Sequence, residues 1–249
     1  MKSFHDWFYS SCYNSFKVKS KRQVILTMES WHKCSEGVAD KIKNEKGISS
    51  ICHKGCSRCC SLHVSLITPD VFFIAENLTK NLSESELFFI AENLTKNLSE
   101  SELFFIKKRL KLRADKVEEY IDDSYRMECV FLGKSSGQCV IYNYRPEACR
   151  RFFTNDEKDC IESNGSPLQD GAVFYSTGIL SSYMALAAHN NDLFIDSHEM
   201  SKSLYIALDS PLLFKKWLRG EPNVFPGVKW EGYHQEIKKM NADMKIKIK

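Results

Sequence analysis

The chain has 249 residues, 43% of them hydrophobic and 27% charged, the make-up of a globular protein with a buried core, which excludes wholesale disorder and fibrous classes. Lysine and arginine total 35 against 32 aspartate and glutamate, a formal net charge of +3, too slight a basic excess to designate nucleic acid as a partner. The ten cysteines are the abnormal count, and their spacing carries the functional information.

Residues 1–45 read as an N-terminal helical region in which Cys12 and Cys34 are ordinary free thiols. Met1 to Phe16 interrupts its apolar side chains with His5, Asp6, Ser10, Ser11 and Asn14, so the stretch lacks the apolar segment of a secretory signal. No uninterrupted apolar run approaches the roughly 20 residues that span a bilayer; Gly171 to Leu186 carries several Ser, Thr and Tyr. The expectation is a cytoplasmic protein with no membrane contact. In a reducing compartment clustered cysteines favour metal ligation or redox chemistry over disulfides.

Residues 46–165 form the cysteine-bearing domain. It opens with Cys52, Cys56, Cys59 and Cys60, a C-x3-C-x2-C-C cluster. An exact tandem duplication follows over 72–103: Phe72 to Leu87 and Phe88 to Leu103 both read FFIAENLTKNLSESEL. Each copy joins a helix-like stretch to a capping-box spacing, Ser83 to Glu86 and Ser99 to Glu102, which marks a helix start. Two copies are too few for a solenoid, so the duplication lengthens a helical region. Phe104 to Tyr125 spaces Ile106, Leu110, Ala114, Val117 and Ile121 three or four apart, an amphipathic helix. Its basic block, Lys107, Lys108, Arg109, Lys111 and Arg113, is expected to be a solvated face. The second cysteine group, Cys129, Cys139, Cys149 and Cys160, lies in an irregular segment with a small hairpin expected around Gly133 to Gly137.

Residues 166–234 read as a helical C-terminal region of the same globule. Its helices are Gly171 to His189, Ser197 to Leu208, and one opened by Ser210-Pro211 that ends near Arg219-Gly220. Residues 235–249 are a Lys-rich tail. The fold expected is mainly α, a helical domain with irregular cysteine-rich metal-binding loops and minor β.

The first four cysteines sit among His53, Lys54, Ser57 and Arg58, poor core formers, so their density is no packing pattern. Lys54 and Arg58 favour the thiolate, the form that binds metal. Thiolates select zinc, copper(I) or iron–sulfur clusters, and four satisfy one tetrahedral zinc or one cubane cluster. Eight could hold two centres. Because the side chains of the neighbours Cys59 and Cys60 should diverge, ligands from the two groups are expected to interleave. His53 and His63 flank the first group, but eight thiols already saturate two tetrahedral sites. Pro146 is expected to forbid a regular helix and present Cys139 and Cys149 from a rigid turn. Arg145 and Arg150 are expected beside the thiolates, balancing the net negative charge of a four-thiolate centre. Common hydrolase and nucleotide-binding motifs are absent.

Three passages carry a family resemblance: CHKGCSRCC with the following Val64-Ser65-Leu66 and Thr68-Pro69, CVFL at Cys129 to Leu132, and CVIYNYRPEACRRF from Cys139 to Phe152. Together they resemble the cysteine-cluster family named for its CxxCxxCC motif, the YkgJ-like zinc- or iron-chelating domains. The resemblance runs from about Cys52 to Cys160, and KWLRGEPNVF looks like the segment that ends longer members. It implies eight ligands: Cys52, Cys56, Cys59, Cys60, Cys129, Cys139, Cys149 and Cys160. The duplication and the three-residue gap between Cys52 and Cys56, where many members have two, depart from the pattern.

The leading expectation is a protein that binds iron, as an iron–sulfur cluster, or zinc, with the metal ion or cluster as its chief partner and no nucleic acid. Two alternatives stand beside it. One is a structural zinc module for protein–protein interaction, using the helical half with Trp217, Phe225 and Trp230. The other is a redox or modification enzyme related to lysine N-methylases, whose cysteine cluster looks similar; that link is fold-level analogy.

Overall fold

The computed structural model describes residues 3–49, 51–79, 99–117, 126–133, 136–163 and 165–225. Among them are nine α-helices, one 3-10 turn and two three-residue strands, a mainly α fold with minor β.

Helix α1 (Phe4–Lys17) starts from a capping box in which Ser3 and Asp6 exchange hydrogen bonds at 3.1 Å. Helix α2 (Lys21–Lys46) is capped by Ser20 and ends at Gly47 in the left-handed conformation. Its buried residues Val24, Ile25, Met28, Trp31, His32, Ser35 and Ala39 recur three or four apart, so one stripe faces the core. Strand β1 (Ser65–Ile67) runs into α3 (Thr68–Thr79), whose Val71 to Ala75 are all buried. Helix α4 (Glu100–Val117) opens at the expected box: Ser99 N–H donates to Glu102 Oε2 at 2.8 Å and Glu102 N–H to Ser99 Oγ at 3.3 Å. The first copy's box at Ser83 and the expected helical residues 118–125 lie outside the described residues.

The cysteine segment contains the 3-10 turn (Tyr142–Tyr144), α5 (Glu147–Arg151) and α6 (Glu157–Glu162). The expected hairpin is reduced to one antiparallel bridge, Leu132 with Cys139, closed by Gly133 N–H donating to Gln138 O at 2.8 Å. Pro146 does not forbid a helix: it caps α5 and Cys149 sits on that helical turn. A proline needs no intrahelical partner for its missing N–H at a helix start.

Helix α7 (Gly171–His189), capped by Asp170, is long and apolar enough by length and composition to cross a membrane, with a mean hydropathy of 1.2; here it packs against α1 and α2. The expected helix Ser197 to Leu208 divides into strand β2 (Ser197–Glu199) and α8 (Met200–Asp209). The reason is long-range: Ser65, Leu66 and Ile67 pair antiparallel with Glu199, His198 and Ser197, and Glu199 then caps α8 through Lys202 N–H. Helix α9 (Leu212–Leu218) follows Pro211 as expected.

One hydrophobic cluster joins α1, α2, α3, α4, Val130, Phe131 and Ile141 of the cysteine segment, α7, α8 and α9. Trp217 and Phe225 are 0% exposed and lie against Phe72, so they are core residues and no interaction surface. Trp230 and the Lys-rich tail 235–249 lie outside the described residues. All ten cysteines are free thiols.

Candidate metal centre

The first cysteine group lies on tight turns. Cys56 N–H donates to His53 O at 3.0 Å across Gly55, whose φ of +98° suits glycine alone. Cys60 N–H donates to Ser57 O and Leu62 N–H to Cys59 O, at 3.0 and 3.1 Å. Within these consecutive turns the Cys60 thiol donates to the Cys59 sulfur.

The second group folds directly onto the first. Cys129 N–H donates to Cys60 O at 2.6 Å and Met127 N–H to Ser61 O at 3.0 Å. Gly165, with φ of +81°, lies so close to the 58–59 backbone that a Cβ there would stand 2.2 Å from Arg58 O. Tyr142 is approached by Arg145 Cζ at 3.9 Å and Lys54 Nζ at 5.5 Å from its ring centroid, a cation–π clamp between the segments.

The thiols consequently fall into two sets that mix the groups. Cys60 feels Cys59, Cys129 and Cys149, while Cys149 feels Cys129, Cys59 and Cys139. Cys160 feels Cys56, Cys52 and Cys59. Cys52 Sγ also lies 3.9 Å from Thr154 O. Cys59 touches both sets. Cys12 and Cys34 neighbour each other on α1 and α2 and couple with none of the eight; burial pushes the Cys12 thiol up to about 12.

Burial is the chief influence on the set of Cys129, Cys139 and Cys149, and neighbouring sulfurs add to it. It pushes Cys139 up to about 11 and Cys149 well above the ordinary thiol range, and it raises Cys129 as well. Cys60 is raised first by donating to Cys59 and next by burial. Cys59 moves the other way, to about 7, because it accepts that hydrogen bond, with Arg145 helping. Such mutual repulsion between would-be thiolates is what a bound cation reverses. The donor chemistry therefore fits a soft metal. Among the described residues no three Cys, His, Asp or Glu side chains stand in ligating geometry.

Arg145 faces Cys59, Cys139 and Cys149 and favours their thiolates. Its Nε is buried with no hydrogen-bond partner among the described residues. Arg150 also acts on Cys139, but its guanidinium is engaged in protein contacts: Nε donates to Arg145 O at 2.9 Å, Nη2 to Asn143 O, and Nη1 to Glu36 Oε1 at 2.5 Å. His53 Nδ1 donates to Lys54 O at 3.1 Å.

Two arginines read from sequence as solvated turn inward instead. Arg113 is 5% exposed and donates from Nη1 to Met127 O and Glu128 O. Arg109 donates to Leu132 O at 3.3 Å and Cys129 O at 3.1 Å, and both arginines favour the Cys129 thiolate. The signal was present: Arg113 falls three residues after Leu110 and beside Ala114, inside the apolar stripe.

The family model described as a "Putative zinc- or iron-chelating domain", CxxCxxCC, matches residues 51–165. That segment is similar to the CxxCxxCC family. The match takes in Cys52, Cys56, Cys59, Cys60, Cys129, Cys139, Cys149 and Cys160 and leaves out Cys12 and Cys34. The protein thus carries a metal-binding domain of the zinc- or iron-chelating kind. No curated protein and no solved structure matches the chain.

Proposed function

We propose that the CxxCxxCC domain holds two soft-metal centres, with Cys60, Cys129, Cys139 and Cys149 as ligands of one and Cys52, Cys56, Cys59 and Cys160 as ligands of the other. The observation that carries this is the packing of the second cysteine group onto the first: Cys129 N–H donates to Cys60 O at 2.6 Å, Cys52 Sγ lies 3.9 Å from Thr154 O, and Gly165 abuts the 58–59 backbone. Bound iron, as an iron–sulfur cluster, would supply one-electron chemistry, and bound zinc would supply a structural tie. The chain's own residues perform three tasks in either case. Arg145 and Arg150 offset the thiolate charge, Arg109 and Arg113 fix the 127–132 backbone, and Phe131 and Ile141, each 1% exposed, shelter Cys129 and Cys139 from water.

A purely structural zinc role is the second reading, favoured by the clamping of Arg113 and Gly165 onto both cysteine segments. The expected setting is cytosolic, which keeps the thiols reduced. Purification without oxygen, followed by metal analysis of Cys56→Ser and Cys149→Ser, tests the assignment. Each variant should lose about half the metal of a two-centre protein. Full retention in both would remove the proposed ligand sets.

A further inference from the structure

Helix α2 lies outside the matched segment 51–165, yet three of its side chains grip the turn that carries Cys149. His32, Ser35 and Glu36 are spaced to share one helix face. His32 Nε2 stands 3.1 Å from Asp70 Oδ1, and Asp70 Oδ2 accepts the N–H of Glu147, the first residue of α5, at 3.3 Å. Ser35 Oγ donates to Glu147 Oε1 at 3.0 Å, and Arg150 Nη1 donates to Glu36 Oε1 at 2.5 Å. Arg151 Nε completes the cradle at 3.4 Å from Glu147 Oε2.

Helix α5 has five residues, far below the length at which a helix is stable alone. The placement of Cys149 is therefore set by what holds the turn: Asp70 at its start, Ser35 through Glu147, and Glu36 through Arg150. His32, Ser35, Asp70 and Glu147 are each at least 96% buried, so the contacts among them are shielded from competing water. The Arg150 link extends to Arg145 O, which couples the same face to the loop bearing Arg145.

We propose that the His32–Ser35–Glu36 face of α2, acting with Asp70 of α3, is a working part of the metal centre and positions Cys149 for ligation. This rests on the reading of Cys149 as a ligand. Metal–thiolate bonds tolerate errors of about 0.2 Å, and loss of a contact that orients a ligand costs roughly 10- to 100-fold in metal affinity.

The test is anaerobic titration of full-length apoprotein with cobalt(II), with zinc(II) as competitor, reading affinity and the thiolate-to-cobalt charge-transfer band. Ser35→Ala and Glu36→Gln should each weaken cobalt binding about 10-fold or more and alter the band. Asp70→Asn, which keeps an oxygen for Glu147 N–H, should retain more affinity than Asp70→Ala. Val24→Ala, a buried position two turns away on the same helix, controls for general destabilisation: it should lower Tm and leave the band of folded protein unchanged. A wild-type band and affinity in both Ser35→Ala and Glu36→Gln, or equal losses in Val24→Ala, would overturn the positioning role while leaving the ligand assignment standing. No thiolate–cobalt band in the wild-type protein would overturn both.

Discussion

Replacing Gly165 by alanine tests the packing that brings the two cysteine segments together. The residue has φ of +81°, and an added Cβ would stand 2.2 Å from Arg58 O, 2.7 Å from Arg58 C and 3.2 Å from Cys59 N. Left-handed backbone costs a non-glycine residue about 1–2 kcal/mol. The overlap is with backbone, which cannot swing aside as a flexible side chain would, and overpacking of this kind costs roughly 1–3 kcal/mol more. The sum, about 2–5 kcal/mol, corresponds to a Tm lowered by roughly 4–20 °C in a chain of this length. Thermal unfolding followed by circular dichroism reads the effect, and cobalt titration should show weakened binding because Arg58 and Cys59 are displaced. Gly37→Ala is the contrast. Gly37 lies within α2 with nothing within 4 Å of a Cβ, so that change should stabilise by about 0.5–1 kcal/mol. A Gly165→Ala protein melting within 2 °C of wild type, beside a normal Gly37→Ala, would show that the 160–165 turn does not rest on the Cys59 loop.

Metal affinity should rise steeply with pH. Cys60, Cys129, Cys139 and Cys149 all have thiols raised above their ordinary range, so they are protonated at neutral pH and must release protons on ligation. Up to four protons should leave per ion in that centre; pH-independent cobalt affinity between pH 6 and 8 would refute this. Arg113→Met should destabilise by about 1.5–3 kcal/mol, since it leaves two acceptors of charged hydrogen bonds unpaired, and denaturant unfolding would measure it. Deleting residues 88–103 should leave metal stoichiometry unchanged: residues 83–87 repeat 99–103, so both the Phe72 to Leu78 core of α3 and the cap of α4 survive. Loss of folding in that chain would assign the second copy a structural role.

What could be read from sequence followed from local constraints. Thiol density, the polar neighbours of Cys52 to Cys60 and the Cys139 to Phe152 pattern pointed to the metal domain because ligand chemistry restricts residue type position by position. The helix cap at Ser99 and the proline opening α9 were legible for the same reason, although Pro146 worked as a helix start where a break was expected. Strand β2 was not legible, since its register is set by Leu66, over 130 residues away. The duplicated string shows the limit most plainly. Phe72 and Phe104 both begin the letters FFI, yet Phe72 is 3% exposed and Phe104 63%, because burial depends on the helix packed opposite. Ser35, Glu36 and Asp70 escaped notice likewise: each serves the site through a contact far along the chain.

The most direct measurement is the metal and acid-labile sulfide content of the protein purified without oxygen, compared with Cys60→Ser and Cys149→Ser. The wild-type chain should carry bound iron with sulfide, or zinc, and each variant should lose the centre that Cys60 and Cys149 share. A folded, metal-free wild-type protein that fails to take up either metal, or variants that keep the full complement, would contradict the assignment of these thiols as ligands.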